Sequence, residues 1–252
     1  MKTRKKILHF SSGDLATTFP KSWEDLDQAQ LLYIYKLLAA DFSPEEVRVY
    51  AWIRFNNLEV AGKDDNAWVV LHHGRRYRLG VATVAFGLMD FTWLEEPPTT
   101  PVRLHSVGNT HATAIDAALH GLPFRLYIQI ENLYQGYLMS KDEEALRELA
   151  KILYPGVSGE DLSAAELLNV MAWVTGVKNL FARLWPEFFQ PASSSPAGET
   201  DMVAIMNAEI RALTGGDITK EKEVLDTDCW RCLTELNEKT REARQLQKSL
   251  KK

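Results

Sequence analysis

The stretch "SWEDLDQAQLLYIYKLLAADFSPEEVRVYAWIRF", residues 22–55, reads as two amphipathic helices joined by a short loop, and that reading sets the fold class. Leu31, Ile34, Tyr35 and Leu38 recur at helical spacing. The first helix is expected to open at Ser22, with Asp25 three residues on as an acidic variant of the capping box. The second start is better marked. Ser43 caps, Pro44 suits the first helical position, and Glu46 can reach back to the Ser43 amide. Asp41 and Phe42 are left to make the connection.

Working outward, residues 6–10 suggest a strand, and a β-rich interruption covers residues 59–79. Within it "NAWVVLHHG" and "RRYRLG" read as paired strands turned at Gly74, because Trp68, Val69, Val70, Tyr77 and Leu79 are β-formers bounded by turn residues. After the Pro-rich "EEPPTTPVRLHSVG", helices resume at "FRLYIQIENLYQGYLM" and "SKDEEALRELAKILYP". In the latter, Ser140 and Glu143 form an expected capping box, and Leu146, Leu149 and Leu153 line one face. A long helix, "SAAELLNVMAWVTGVKNLFARLW", is capped by Ser163 with Glu166 and stopped by Pro186. Its stripe is Leu167, Met171, Val174, Val177, Phe181 and Leu184.

The segment "QPASSSPAGE", residues 190–199, has no large apolar side chain to offset the entropy of ordering, so it reads as a flexible linker. Beyond it come a helix over 201–214, ended by Gly215 and Gly216, and a last helix carrying "DCWRCLTELN". The expected fold is therefore mainly α with a small β element (α+β). Its expected parts are a mostly helical body at 1–189 with a short β-hairpin, the linker at 190–199, and a C-terminal two-helix extension at 200–252.

Composition limits what such a protein does. A chain of 252 residues is long enough to bury about three-quarters of its unfolded surface. At 46% apolar and 25% charged it has an ordinary globular composition, and a net charge of -5 gives no overall attraction to nucleic acid or anionic membrane. The longest apolar run, "GVATVAFGLM", is far shorter than the roughly 20 residues of a membrane span, so no membrane partner is expected. The opening "MKTRKKILHF" lacks the longer apolar core of a secretion signal. With two closely spaced cysteines and no disulfide framework, a reducing intracellular compartment is expected.

No motif points to catalysis. Phosphate-loop, dinucleotide-loop and nucleophile-elbow signatures are missing, as is a His-Glu-x-x-His zinc pair, so no enzyme, cofactor or metal is expected. Cys229 and Cys232 could suggest a redox or metal site. However, Leu225, Cys229, Cys232, Leu236, Lys239, Ala243, Leu246 and Leu250 follow the alternating spacing of a heptad seam, where a thiol is an acceptable apolar residue. The charged "ITKEKEV" before them is unlike the buried strand that precedes a thioredoxin-type motif. "HHGRRYR" is the best nucleic-acid candidate, since Arg75, Arg76 and Arg78 could contact phosphates and an aromatic could stack a base. In an acidic protein, the solvated face of a hairpin is the favoured reading, and nucleic acid is an alternative partner only.

The last helix changes character along its length. Trp230 and Leu233 widen its first turns into a broad apolar face suited to packing within the C-terminal unit. Farther on the seam narrows to Leu236, Ala243, Leu246 and Leu250, and residues 239–252 carry six basic side chains against one acidic. Leu236, Lys239, Ala243, Leu246 and Leu250 are the expected partner-binding residues, with Lys239 extending its charge out of the seam. The basic flank of Arg241, Arg244, Lys248, Lys251 and Lys252 suits an acidic helical partner. A second copy of the chain is a further candidate to cover the seam.

Three blocks carry a resemblance: the hairpin extended to "FPKSWEDLDQAQLLYIYKLLAADFSPEEVRVYAWIRF", then "ENLYQGYLMSKDEEALRELAKILYP", and "MNAEIRALTGGDITKEKEVLDTDCWRCLTELN". They resemble uncharacterised proteins encoded in the tail-morphogenesis region of bacterial prophages, and the organisation resembles phage tail-assembly chaperones. The resemblance implies a non-enzymatic protein of the bacterial host cytoplasm that binds the tape-measure protein or tail-tube subunits. The chain is longer than many such chaperones and nothing in it marks a frameshift product. A structural tail or connector component therefore stays open beside the chaperone role.

Overall fold

The computed structural model describes residues 8–9, 20–64, 67–189 and 202–250. It is 64% helical with a small sheet, so the expected fold class, mainly α with a small β element, is what forms. The division of the chain differs from the expected one. Its two compact units are Met1–Pro97 and Pro98–Lys252, so the boundary falls inside the stretch expected to be one body. The segment expected to be a flexible linker, 190–199, lies outside the described residues.

In the first unit, α1 (Gln28–Ala39) and α2 (Pro44–Phe55) form the expected hairpin. The Ser43–Glu46 box is present in both directions: the Glu46 amide donates to Ser43 Oγ at 3.3 Å, and the Ser43 amide donates to Glu46 Oε2 at 2.9 Å. The start expected at Ser22 is corrected. Ser22 precedes only a short 3-10 turn, Trp23–Asp25, and α1 is capped by Asp27, which forms a reciprocal box with Gln30. Asp27 wins because it places the helical register over Leu31, Ile34 and Tyr35, all buried.

The sheet of this unit contains β1 (Leu8–His9), β2 (Glu59–Asp64), β3 (Ala67–His72) and β4 (Arg75–Gly80), in the order β1-β4-β3-β2. The β3–β4 hairpin turns through His73 and Gly74, both at positive φ, as a tight two-residue turn requires. β1 pairs parallel to β4, and β2 pairs antiparallel to β3 with a register shift between Val60 and Gly62. The apolar run that follows forms α3 (Val81–Leu88). There Gly87 lets the backbone approach Trp52, since a Cβ would lie 2.2 Å from the indole nitrogen.

The second unit opens with an extended segment holding the two-residue strands β5 (Ser106–Val107) and β6 (Ala112–Thr113). Three helices follow: α4 (Phe124–Ser140), α5 (Glu143–Leu153) and α6 (Ala164–Leu184). The extended segment is fixed to them by buried side chains. Asn169 Oδ1 accepts from the Leu104 amide at 3.0 Å, and Tyr154 donates its hydroxyl to the Leu104 carbonyl at 2.9 Å. Gly176 lets α6 meet the same segment, because a Cβ there would sit 2.2 Å from the Thr100 carbonyl oxygen.

The Ser163–Glu166 box forms as expected. The Ser140–Glu143 box does not. α4 continues through Ser140, whose hydroxyl donates to the Gly136 carbonyl, and Asp142 caps α5 by accepting from Glu144 N–H at 3.0 Å. The burial on α6 is wider than one stripe: Ala165, Asn169, Val170 and Trp173 are buried with Leu167, Val174, Val177 and Phe181, whereas Leu184 is exposed. A helix covered on several sides reads poorly from a single face.

The chain ends in α7 (Met202–Thr214), the short α8 (Glu221–Asp226) and α9 (Cys229–Leu250). Leu225 lies in α8, so the seam expected to run unbroken from it is interrupted at Thr227 and Asp228. Among the described residues, no helix is long and apolar enough to cross a membrane.

Candidate functional site

α9 is built as two halves. Its first turns are fastened to the second unit by backbone and side-chain bonds that the helical periodicity does not announce. The Cys229 amide donates to the Leu122 carbonyl and the Phe124 amide to the Thr227 carbonyl, each at 2.8 Å. Asp228 accepts from the Trp230 amide at 2.8 Å and from the Gly121 amide at 2.6 Å, tying the helix start to the loop before α4.

Trp230 then completes an aromatic cluster. Its indole N–H donates to the Ala118 carbonyl at 2.8 Å, its ring stacks on His120 at 4.1 Å, and it meets Phe181 and Trp185 edge-on at 5.7 and 5.1 Å. Trp230 and Leu233 were expected to pack within a small separate extension. Trp230 reaches beyond that extension to α6 and the loop before α4, because a large aromatic surface needs a cluster of this size to cover it, and Leu233 is fully buried.

Cys229 and Cys232 belong to this fastened half, both free and buried. Burial, with the Asp228 carboxylate adding to it, pushes the Cys229 thiol up to about 12 and the Cys232 thiol up to about 11. Each is protonated at neutral pH, opposite to what a reactive thiolate requires. Cys229 Sγ lies 3.5 Å from the Leu119 carbonyl and Cys232 Sγ 3.7 Å from that of Val224, so the thiols act as weak donors inside a packed seam. Among the described residues, no group of three His, Cys, Asp or Glu side chains is placed to hold a metal ion.

The expected partner-binding residues begin within this fastened half and run beyond it. Leu236, expected to bind a partner, is only 3% exposed and belongs to the unit's own core. Asn237 Oδ1 accepts from the amides of Glu187 and Phe188 at 3.0 and 3.2 Å, and Arg244 pairs with Glu187 at 2.5 Å. Lys239 is half-buried and pairs with Glu235 along the helix at 3.1 Å. Ala243 is exposed, Leu246 is 61% exposed and Leu250 is 77% exposed. The expected partner-binding set therefore divides: Leu236 is core, Lys239 is a margin, and Ala243, Leu246 and Leu250 face outward together. Lys251 and Lys252 lie outside the described residues.

The hairpin alternative loses one of its parts. Arg75 and Arg76 are exposed, but Tyr77 is buried at 8% and Arg78 is half-buried. Successive strand residues alternate faces, so Arg76 and Arg78 share a face opposite Arg75, and the tyrosine points into the core. Phosphate contact remains open to the arginines, whereas base stacking by Tyr77 does not.

One cavity, apolar in most of its lining but holding three charged side chains, was not visible in the sequence. About 440 Å3 lies between α4, α6 and α7, lined by Tyr127, Phe188 and Phe189 with Glu131, Lys178 and Glu209. Lys178 forms an ion pair with Glu131. Burial pushes the Glu209 carboxyl up to about 7, the Glu131 charge adds to this, and Lys178 opposes it. No spacing rule connects residues on three helices, so only the packing brings them together.

No family model matches the chain, and no curated protein or solved structure matches it either.

Proposed function

We propose that the protein is a non-enzymatic, protein-binding component of phage tail morphogenesis, acting in the bacterial cytoplasm as a tail-assembly chaperone for tape-measure or tail-tube protein. The observation that carries the reading is the end of α9, where Leu246 and Leu250 project one helical turn apart without cover from their own unit. Covering a leucine side chain fully contributes roughly 1.5–3 kcal/mol, so two adjacent leucines can anchor a helix-on-helix contact. Lys248 lies between them, Arg241 and Arg244 precede them already paired with Glu238 and Glu187, and this basic end favours an acidic partner helix. The protonated, buried thiols of Cys229 and Cys232 agree with a structural role for the sequence's one redox-like motif. The resemblance of the three sequence blocks to prophage tail-region proteins supplies the biological setting.

Co-expression with the tape-measure and tail-tube proteins of the same prophage tests this. The full chain should co-purify with one of them, and Leu246→Asp combined with Leu250→Asp should abolish capture while leaving the helical content unchanged. Capture with undiminished affinity by that variant would place the binding surface elsewhere. Salt-dependent binding to DNA or RNA that is lost in Arg75→Ala with Arg76→Ala would favour the nucleic-acid alternative instead.

A further inference from the structure

The first unit holds an apolar groove of about 700 Å3 between α2 and the β2–β3 edge of the sheet. Its floor is Val49, Tyr50 and Ile53 from α2 facing Val60 and Trp68 from the strands. Two of these are left wet: Tyr50 is 40% exposed and Val60 49% exposed. Glu45 and Glu46 stand on the helical rim, with Lys63 opposite on β2. Glu46 is held below its ordinary range by the Ser43 amide and hydroxyl, so it is charged at neutral pH.

Two features define what fits. β2 is the open edge of the sheet, but its register shifts between Val60 and Gly62, and a bulged edge is a poor template for a further strand. The fitting element is therefore a helix, laid along α2 with apolar residues toward Val49 and Ile53 and basic residues toward Glu45 and Glu46. The described chain contains such a helix. On α9, Leu246 and Leu250 are spaced i, i+4, as Val49 and Ile53 are, and Arg244 and Lys248 border them. The 12 residues of α2 extend about 18 Å, the length of the last 12 residues of α9.

We propose that, without a client, the end of α9 docks in the α2–β2 groove of a second copy of the chain. The contact is head-to-tail: two different surfaces meet, so a pair of copies retains one free groove, on the copy that gave its helix end, and one free helix end, on the other. Like-with-like pairing of two α9 ends would bring Lys248 near its own copy and offer neither end an acidic surface, since Glu238 and Glu187 are already paired with Arg241 and Arg244, which disfavours it. The proposal rests on the reading of the α9 end as a docking element and adds that client and second copy compete for it.

Analytical ultracentrifugation of the full chain tests the proposal. The protein should self-associate with concentration, and added salt should weaken the association because the charges are exposed. Tyr50→Lys with Val60→Lys blocks the groove, and Leu246→Asp with Leu250→Asp blocks the helix end. Each should weaken self-association by at least about tenfold, the effect of 1.4 kcal/mol. An equimolar mixture of the two variants should restore a one-to-one complex and nothing larger, since only one complementary pair of surfaces remains. A synthetic peptide of residues 236–252 added to the wild-type chain should dissociate the assemblies, a readout independent of whether either variant folds.

A wild-type chain that stays monomeric at its highest soluble concentration would overturn the proposal. So would assemblies that resist the peptide, or a variant mixture that forms no complex. Titration with a synthetic amphipathic helix carrying leucine at a and d and glutamate at e and g separates this from the client reading. If the groove variant binds that probe as wild type does, the helix end is a docking element whatever the ultracentrifugation shows. If wild type does not bind it, the client reading fails by itself.

Discussion

The two halves of α9 share one helix and one seam, yet they meet different surroundings. From Cys229 to Asn237 the helix carries Trp230 in a cluster with Phe181, Trp185 and His120, buried Leu233 and Leu236, and backbone ties to the loop before α4. Past Arg244 the described residues are all exposed, including Leu246 and Leu250. The seam spacing is the same in both halves, so spacing alone does not say which half is core. Aromatic bulk and hydrogen-bonding side chains distinguish the fastened half. Positive charge and a seam of aliphatic residues without aromatic neighbours distinguish the projecting one.

The largest expected effect lies in the fastened half. Trp230→Ala removes a donor to the Ala118 carbonyl and the contacts with three rings, and should cost about 3–5 kcal/mol in urea unfolding. A loss under about 1 kcal/mol would mean that α9 is not fastened as described. Cys229→Ala with Cys232→Ala should cost less, about 1–2 kcal/mol together, because each change deletes one sulfur from a packed seam. In the native protein both thiols should react slowly with iodoacetamide at pH 7. Rapid native alkylation would contradict their burial and raised pKa values.

Glu209 offers a smaller, pH-dependent test beside the α9 comparison. Its carboxyl titrates near 7 in the folded protein against an ordinary value of 4.5, so folding favours the protonated form. Unfolding releases that proton between those values, and stability from this group is full below 4.5 and falls as pH rises to about 7. Glu209→Gln should be more stable than wild type by about 1 kcal/mol at pH 8 and equal to it at pH 4. A gain that is the same at both pH values would remove the burial of Glu209 as its cause. The smallest effect belongs to the projecting half: Leu246→Asp with Leu250→Asp should leave stability within about 0.5 kcal/mol of wild type.

Helices with a local start signal were legible residue by residue. Ser43 with Glu46, and Ser163 with Glu166, satisfy amides within one turn, so four adjacent residues contain the whole device. Ser22 and Ser140 show the limit of that signal. Asp27 and Asp142 lie a few residues on and cap helices whose apolar faces meet the core, and the core decides between competing caps. The thiols at Cys229 and Cys232 were readable as seam residues, because charge before them and apolar spacing around them are local. The division at Pro97 was not readable, since it follows from which helices pack together and not from linker composition. Nor was the Glu131, Lys178 and Glu209 cavity, whose members lie on three helices. Leu236 was assigned to the wrong side of the seam because its burial is set by tertiary packing, in a region where the neighbouring Asn237 is bonded to the Glu187 and Phe188 amides far away in sequence.

The central claim, that the projecting half of α9 is the docking element, is tested most directly by hydrogen exchange along α9 with and without the tape-measure or tail-tube protein. In the free chain, amides of residues 232–240 should be strongly protected and those of 245–250 should exchange rapidly. Addition of the partner should slow exchange at 245–250 by at least about tenfold and leave 232–240 unchanged, the energy equivalent of 1.4 kcal/mol of local stabilisation. Partner binding that protects other parts of the chain while residues 245–250 still exchange at their free rate would contradict the account.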